Sequence, residues 1–481
     1  YSAVFGSIIR RVPVTTTILH LDMNNSSGII PPVVSVSFPP APRFLAMRLK
    51  LLFSLLVLPT LPFLACNLKG ADEFERPPIQ YSLSTPKNCI TKLQDKLDKG
   101  STKLTYDGET GYLGSVLKAL NVPLESQMLV FSKTSLQLRY ITPKTPRAVY
   151  FNDDVYVGYC QSGDVLEISA VDPTLGTVFY TLDQQQMEIP QFIRRVDKCI
   201  ICHSSSRTEG VPGHLVRSLF VDYSGQPMLS GGSRTVDHTT PIDQRWGGWY
   251  VTGKHGEQNH LGNLVIRGRD VPRDVDNSQG QNVVSLKDRL ELGRYLTPHS
   301  DIVALMVLEH QTLVHNRMTK ANFTARQAFD YENTLNEALG EPKGNRLDST
   351  NRRIQSAGDD LIEAMLFVEE AKITSPISGT SGFAESFSQK GPKDKNGRSL
   401  YQLDLQHRML KYPCSHLIYS KSFDALHPEM KKYIWQKMWD IFNNKDSSKK
   451  YAHLSTADRK AILEIIRDTK TGLPDYWKAA P

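Results

Sequence analysis

The sequence predicts an α+β fold, with a β-rich N-terminal part, an irregular Gly-rich middle segment and a mainly helical C-terminal part. Three observations predict it. Between Met128 and Leu182, short runs of β-branched and aromatic residues alternate with turn signals. Across 184–283 neither the strand period nor the helix period is sustained. From Leu286 onward, apolar residues recur at helical spacing. A chain of 481 residues has room for roughly two to three domains and can bury a substantial core.

The first segment, 1–46, mixes Pro, Ser, Thr and scattered apolar residues without a period, and reads as upstream sequence preceding a start at Met47. Residues 47–66 then read as an export signal, with Arg48 and Lys50, the apolar run Leu51 to Leu64, and Ala65 before Cys66. Pro59 and Pro62 interrupt that run, and it falls short of the ~20 apolar residues of a membrane span. Ala65-Cys66 is also a candidate lipobox, which makes Cys66 a candidate lipid anchor. The expected location is the periplasm or cell envelope.

The β-rich part covers 67–183. Helices are expected at Ile90–Leu97 and Tyr112–Leu120, followed by strands at Met128–Phe131, Arg147–Phe151, Val155–Tyr159, Val165–Val171 and Thr177–Leu182. Asn152-Asp153-Asp154, Ser162-Gly163-Asp164 and Asp172-Pro173 supply the turns of an antiparallel sheet. In the helical part, 284–481, the apolar helix Asp301–Met318, the amphipathic helix Met430–Asn443 and a helix from the Ser455–Asp458 capping box through Arg467 are expected, with polar loops at 340–353 and 373–400.

Charge excludes one class of function. Lys and Arg number 57 against 50 Asp and Glu, for a net +7. Residues 1–66 carry five bases and one acid, so the rest of the chain is only +3. Nucleic acid requires a concentrated basic surface, and no run of bases that would build one appears in the sequence.

Of the six cysteines, Cys66, Cys89, Cys160, Cys199, Cys202 and Cys414, one pair has a meaningful spacing. Cys199-Ile200-Ile201-Cys202-His203 places two thiols one helical turn apart with an imidazole beside the second. Two such thiols can add across the two vinyl groups of a porphyrin, with the adjacent His as proximal iron ligand. A thioredoxin-type pair would want a βαβ context, and none precedes Cys199. A zinc site would want a second short-spaced ligand pair, and no second C-x-x-C occurs. Two of Cys89, Cys160 and Cys414 could pair in an exported chain, and the sequence does not choose between them.

The Cys199–His203 segment resembles the attachment site of c-type cytochromes. The wider chain, through Ser126–Gln137, Arg147–Gly158, Val211–Arg217, Asp237–Asn263 and Tyr412–Ser420, resembles a largely uncharacterised group of large exported bacterial haem proteins with a single such site. The resemblance implies one covalent haem c and a redox partner in the cell envelope, and no particular chemistry.

The function then turns on the sixth iron position, where a second protein ligand gives an electron carrier and an open site admits peroxide or oxygen. His255 and His260, in Gly-flanked loops, and His310, on the apolar face of its helix beside Glu309, are the distal candidates; Met228, His214 and His238 are weaker ones. Trp246, Trp249 and Arg245 form either a haem-side cluster or a structural one, and Arg217 is a candidate propionate partner. Electron transfer is the expected function. The alternative is a haem-dependent oxidoreductase of peroxidase or oxygenase type. The length beyond Cys66 is the main argument for that alternative, because ~100 residues suffice to bury one haem, and the surplus could build a substrate pocket or equally a platform for docking a partner.

Overall fold

The computed structural model describes residues 73–446 and 448–478. The expected upstream segment, the export signal and Cys66 lie outside the described residues. The fold is α+β, with a sheet in the N-terminal half and helices dominating the C-terminal part.

Six strands form an antiparallel meander in sequence order: β1 (Met128–Val130), β2 (Arg147–Phe151), β3 (Val155–Tyr159), β4 (Val165–Asp172), β5 (Gly176–Asp183) and β6 (Phe192–Arg194). Short polar side chains make the turns. Asn152 Oδ1 accepts from the backbone of Asp154 and Val155, and Asp172 Oδ1 accepts from Thr174 and Leu175. Both faces are covered, so β3 and most of β5 are buried at every position rather than at alternate ones. Ala148, Tyr150, Val157, Ile168 and Tyr180 face one core with helices α1 (Cys89–Asp98) and α2 (Leu113–Ala119). Met128, Val130, Phe151 and Tyr156 face a second core shared with the start of the longest helix. Asn88 and Thr91 start α1 with a reciprocal capping box.

Between 184 and 283 the chain is mostly irregular, holding β6, a short helix α3 (Lys198–His203), and the two-stranded pair β7 (Arg217–Leu219) and β8 (Ser233–Thr235). Helices follow: α4 (Ile302–Leu339), α5 (Asp348–Met365), α6 (Phe383–Ser388), α7 (Lys421–Asp424), α8 (Pro428–Phe442), α9 (Thr456–Thr469) and α10 (Asp475–Lys478). α4, α5, α8 and α9 enclose a third core around Met318, Leu361, Ile434 and Ile466. Three expectations are corrected. Residues 286–300 hold only a 3-10 turn at Leu292–Arg294, α5 begins inside the expected loop 340–353, and α6 interrupts the expected loop 373–400. Among the described residues no helix is long and apolar enough to cross a membrane.

The junction of sheet, α4 and the loop before α6 is made at Asp301, which is fully buried. Its Oδ1 caps α4 by accepting from Val303 and Ala304, and its Oδ2 accepts from the backbone of Thr380 and Ser381 and from the Ser381 hydroxyl. Asp301→Ala would orphan five donors in a dry site. It should lower the unfolding free energy in urea by on the order of 3–5 kcal/mol; a loss below about 1 kcal/mol would show that the junction rests elsewhere.

Candidate haem attachment site

α3 is a six-residue helix that follows β6 directly. Cys199 is half-buried against the sheet-side core, and Cys202, one turn later, is exposed. Both thiols are free, as are Cys89, Cys160 and Cys414, so no disulfide forms among the described residues. Burial pushes the Cys89 thiol up to about 11 and the Cys160 thiol up to about 12, which leaves both as inert packing groups. Exposed apolar side chains crowd the segment that carries the motif: Ile193, Val196 and Ile201, the last 78% exposed.

His203 is half-buried, its ring 4.8 Å from that of Phe179 on β5. Its Nδ1 lies 2.9 Å from the carbonyl of Gly213. A carbonyl only accepts, so Nδ1 carries the proton and Nε2 keeps the free lone pair. Burial lowers the pKa of the ring, which favours the neutral, ligating form.

The Gly213 carbonyl is itself held. The Gly213 N–H donates back to the His203 carbonyl at 2.8 Å. On α4, Asn316 Oδ1 accepts from the His214 N–H at 2.9 Å, and its Nδ2 donates to the His214 carbonyl at 2.8 Å. A Cβ on Gly213 would stand 2.3 Å from Asn316 Oδ1, so only glycine admits this approach. Asn316 was not legible as a site residue; it lies more than a hundred residues from the motif, in a helix whose polar positions look solvent-facing.

The distal candidates are committed elsewhere. His310 Nδ1 lies 3.1 Å from His238 Nδ1, its Nε2 lies 2.9 Å from Ser415 Oγ, and its ring stacks on Phe367 at 4.0 Å. His255 Nε2 accepts from the Asn282 N–H, and His260 Nδ1 accepts from the Gly262 N–H. The two rings stand 4.7 Å apart. In each of these three rings the accepting nitrogen is hydrogen-bonded within the fold. His214 is likewise engaged on both sides, by Ser169 and Thr177. Met228 sits in a turn, half-buried, its N–H bonded to the Phe220 carbonyl.

Arg245 and the tryptophans take the structural role. Arg245 is buried, with Nη1 on Glu309 at 2.9 Å, Nε on the Thr240 carbonyl and Nη2 on the His238 carbonyl. Trp246 is wholly enclosed, and Trp249 donates its Nε1–H to the Arg217 carbonyl. Arg217 itself is half-buried and bonds Ser233 Oγ; its pKa is lowered by burial first and then by repulsion from Arg207.

Two unpaired thiols one turn apart, a neutral imidazole with one free nitrogen and exposed apolar side chains beside them are the donor set that a covalent porphyrin requires. Among the described residues no group of three or more His, Cys, Asp or Glu side chains converges to hold a bare metal ion. A porphyrin needs no such group, because its own four nitrogens complete the plane. No protein-family model, curated protein or solved structure matches the chain.

Two outcomes follow. In haem-free protein, nitrogen NMR should show His203 protonated at Nδ1, and Asn316→Ala should release it into a mixture of tautomers; an unchanged ring would remove Asn316 from the site. The second concerns acid. Burial lowers the pKa of His238, His315 and His416 to about 4 and of His260 to about 3, and holds His214 and His310 well below 6.5. The unfolded chain takes up protons on these rings below pH ~6.5 and the folded chain does not, so stability is lost on acidification from 6.5 towards 4, at up to ~1.4 kcal/mol per ring per pH unit. Glu309 and Glu370, both pushed up to about 7, chiefly by burial, act oppositely, because their contribution is lost as pH rises from about 4.5 through 7. Thermal unfolding against pH should show the net acid loss, and His315→Gln should flatten it; an identical slope would contradict the assignment.

Proposed function

We propose that the chain is an exported c-type haem protein carrying one covalent haem and acting in electron transfer. Cys199 and Cys202 would hold the group through their sulfurs, and His203 Nε2 would ligate its iron. Arg217, whose guanidinium bonds only Ser233 Oγ among the described residues, would be the partner of a propionate. The single observation that carries the reading is the His203–Gly213 bond, which fixes the imidazole in the one tautomer that leaves Nε2 free beside the two unpaired thiols. When bound, the group supplies a one-electron iron couple. The chain's own residues keep the imidazole neutral, orient it through Gly213 and Asn316, and leave Cys202 at the surface, where a redox partner of the cell envelope can approach. Attachment outside the cytoplasm agrees with the export signal expected at 47–66 and with a lipid anchor at Cys66.

A second reading, a haem-dependent oxidoreductase with an open distal site, is favoured by one observation: the rings of His255, His260 and His310 are all bonded within the fold. Optical and EPR spectra of protein expressed with haem-maturation machinery separate the two. A low-spin ferric signal insensitive to cyanide is the result expected of a carrier. A high-spin signal that shifts with cyanide would favour the oxidoreductase. Protein without haem absorbance would overturn both.

A further inference from the structure

A cavity of about 560 Å3 opens beside the sheet, between the residues that enter β2, the residues that leave β3, and the segment 287–294. Its size falls within the roughly 300–1,000 Å3 of small-molecule sites. Four cationic side chains line it, Lys144, Lys287, Arg289 and Arg294, and among the described residues none of them is paired with a carboxylate. Two are fixed in place by neutral carbonyls. Lys144 Nζ donates to the Arg289 carbonyl at 2.8 Å, and Arg289 donates to the carbonyls of Asn263 and Gln279. A carbonyl orients a cation without cancelling its charge, so the positive potential is preorganised and unspent.

Gln161, also on the wall, supplies a second and independent sign. It is only 7% exposed, and its Nε2 is buried with no hydrogen-bond partner. A buried amide donor left unpaired costs about 1–3 kcal/mol, which an accepting ligand would recover. Leu290 and Leu292 add apolar wall, and Asp288 and Glu291 also line the cavity, where they can accept from a ligand hydroxyl.

We propose that this cavity binds a small organic oxyanion, a carboxylate or a phosphate ester, held by the Lys144, Lys287, Arg289 and Arg294 charges with the Gln161 amide donating to one of its oxygens. The site is independent of the haem reading and stands whether or not the thiols carry a porphyrin.

The test is calorimetric titration of the full chain at low salt with inorganic phosphate and, separately, with citrate. Binding of either probe with a dissociation constant below about 1 mM is expected, and the stronger probe identifies the phosphoryl or the carboxylate source. The double variant Lys287→Gln/Arg294→Gln, at two exposed side chains, should weaken binding by ~10-fold or more. Gln161→Glu, which turns the donor into a carboxylate, should abolish binding in protein whose circular dichroism is unchanged. If Gln161→Glu fails to fold, the double variant alone decides. Failure of both probes to bind at ~10 mM, or binding that the double variant leaves unaltered, would overturn the proposal.

Discussion

An irregular segment of about a hundred residues can be buried only if its backbone N–H and C=O groups find partners outside any helix or sheet ladder. Here α4 supplies them. Asn316 takes both backbone groups of His214, and Glu309 anchors Arg245, which in turn bonds two carbonyls of the segment. Gln311 reaches the Asn152 carbonyl and His315 the Asp153 carbonyl at the β2–β3 turn. One helix thus ties the sheet and the irregular segment together, with Glu309 and Asn316 on one face reaching the irregular segment and Gln311 and His315 on the nearly opposite face reaching the sheet turn. The position of Gly213, and through it the orientation of His203, follows from that tie.

The Arg245–Glu309 pair shows what such an arrangement demands. Both side chains are out of water, and burial pushes Glu309 up to about 7 despite the guanidinium beside it. Attraction between the two charges offsets only part of their desolvation, so the pair is weak evidence for stability taken alone. Its value lies in specification. An unpaired Arg245 in that position would be far more costly than the pair, so competing packings of the 238–249 segment are disfavoured. The interior histidines add to this: His214 bonds hydroxyls, His310 an imidazole and a hydroxyl, and His315 a carbonyl.

The sequence made the long strands β2 to β5 legible because each is a β-branched or aromatic run closed by Asn, Asp or Gly, signals that are local. The three-residue strands β6, β7 and β8 exist only through their partners and left no local mark. The start of α5 read as loop because Asp348, Ser349, Asn351, Arg352 and Arg353 are polar; its buried positions begin in earnest at Ile354. The thiols and imidazole of the motif could be read from five consecutive residues. The groups that hold them could not, since Gly213 and Asn316 act across a non-local contact. His310 was correctly read as an inward-facing ring, yet its partners, His238 and Ser415, are 72 and 105 residues away, and only the fold reveals that both its nitrogens are hydrogen-bonded.

The geometry therefore supports an attachment site whose thiols are free and whose imidazole is already oriented, set on a scaffold much larger than a simple carrier requires. The central claim is chemical, and mass analysis of the proteolytic peptide that contains Cys199, Cys202 and His203, taken from chain matured in an exporting host, tests it most directly. The account predicts that peptide carrying the mass of one haem bound through both sulfurs. The same peptide recovered with two unmodified thiols would contradict it.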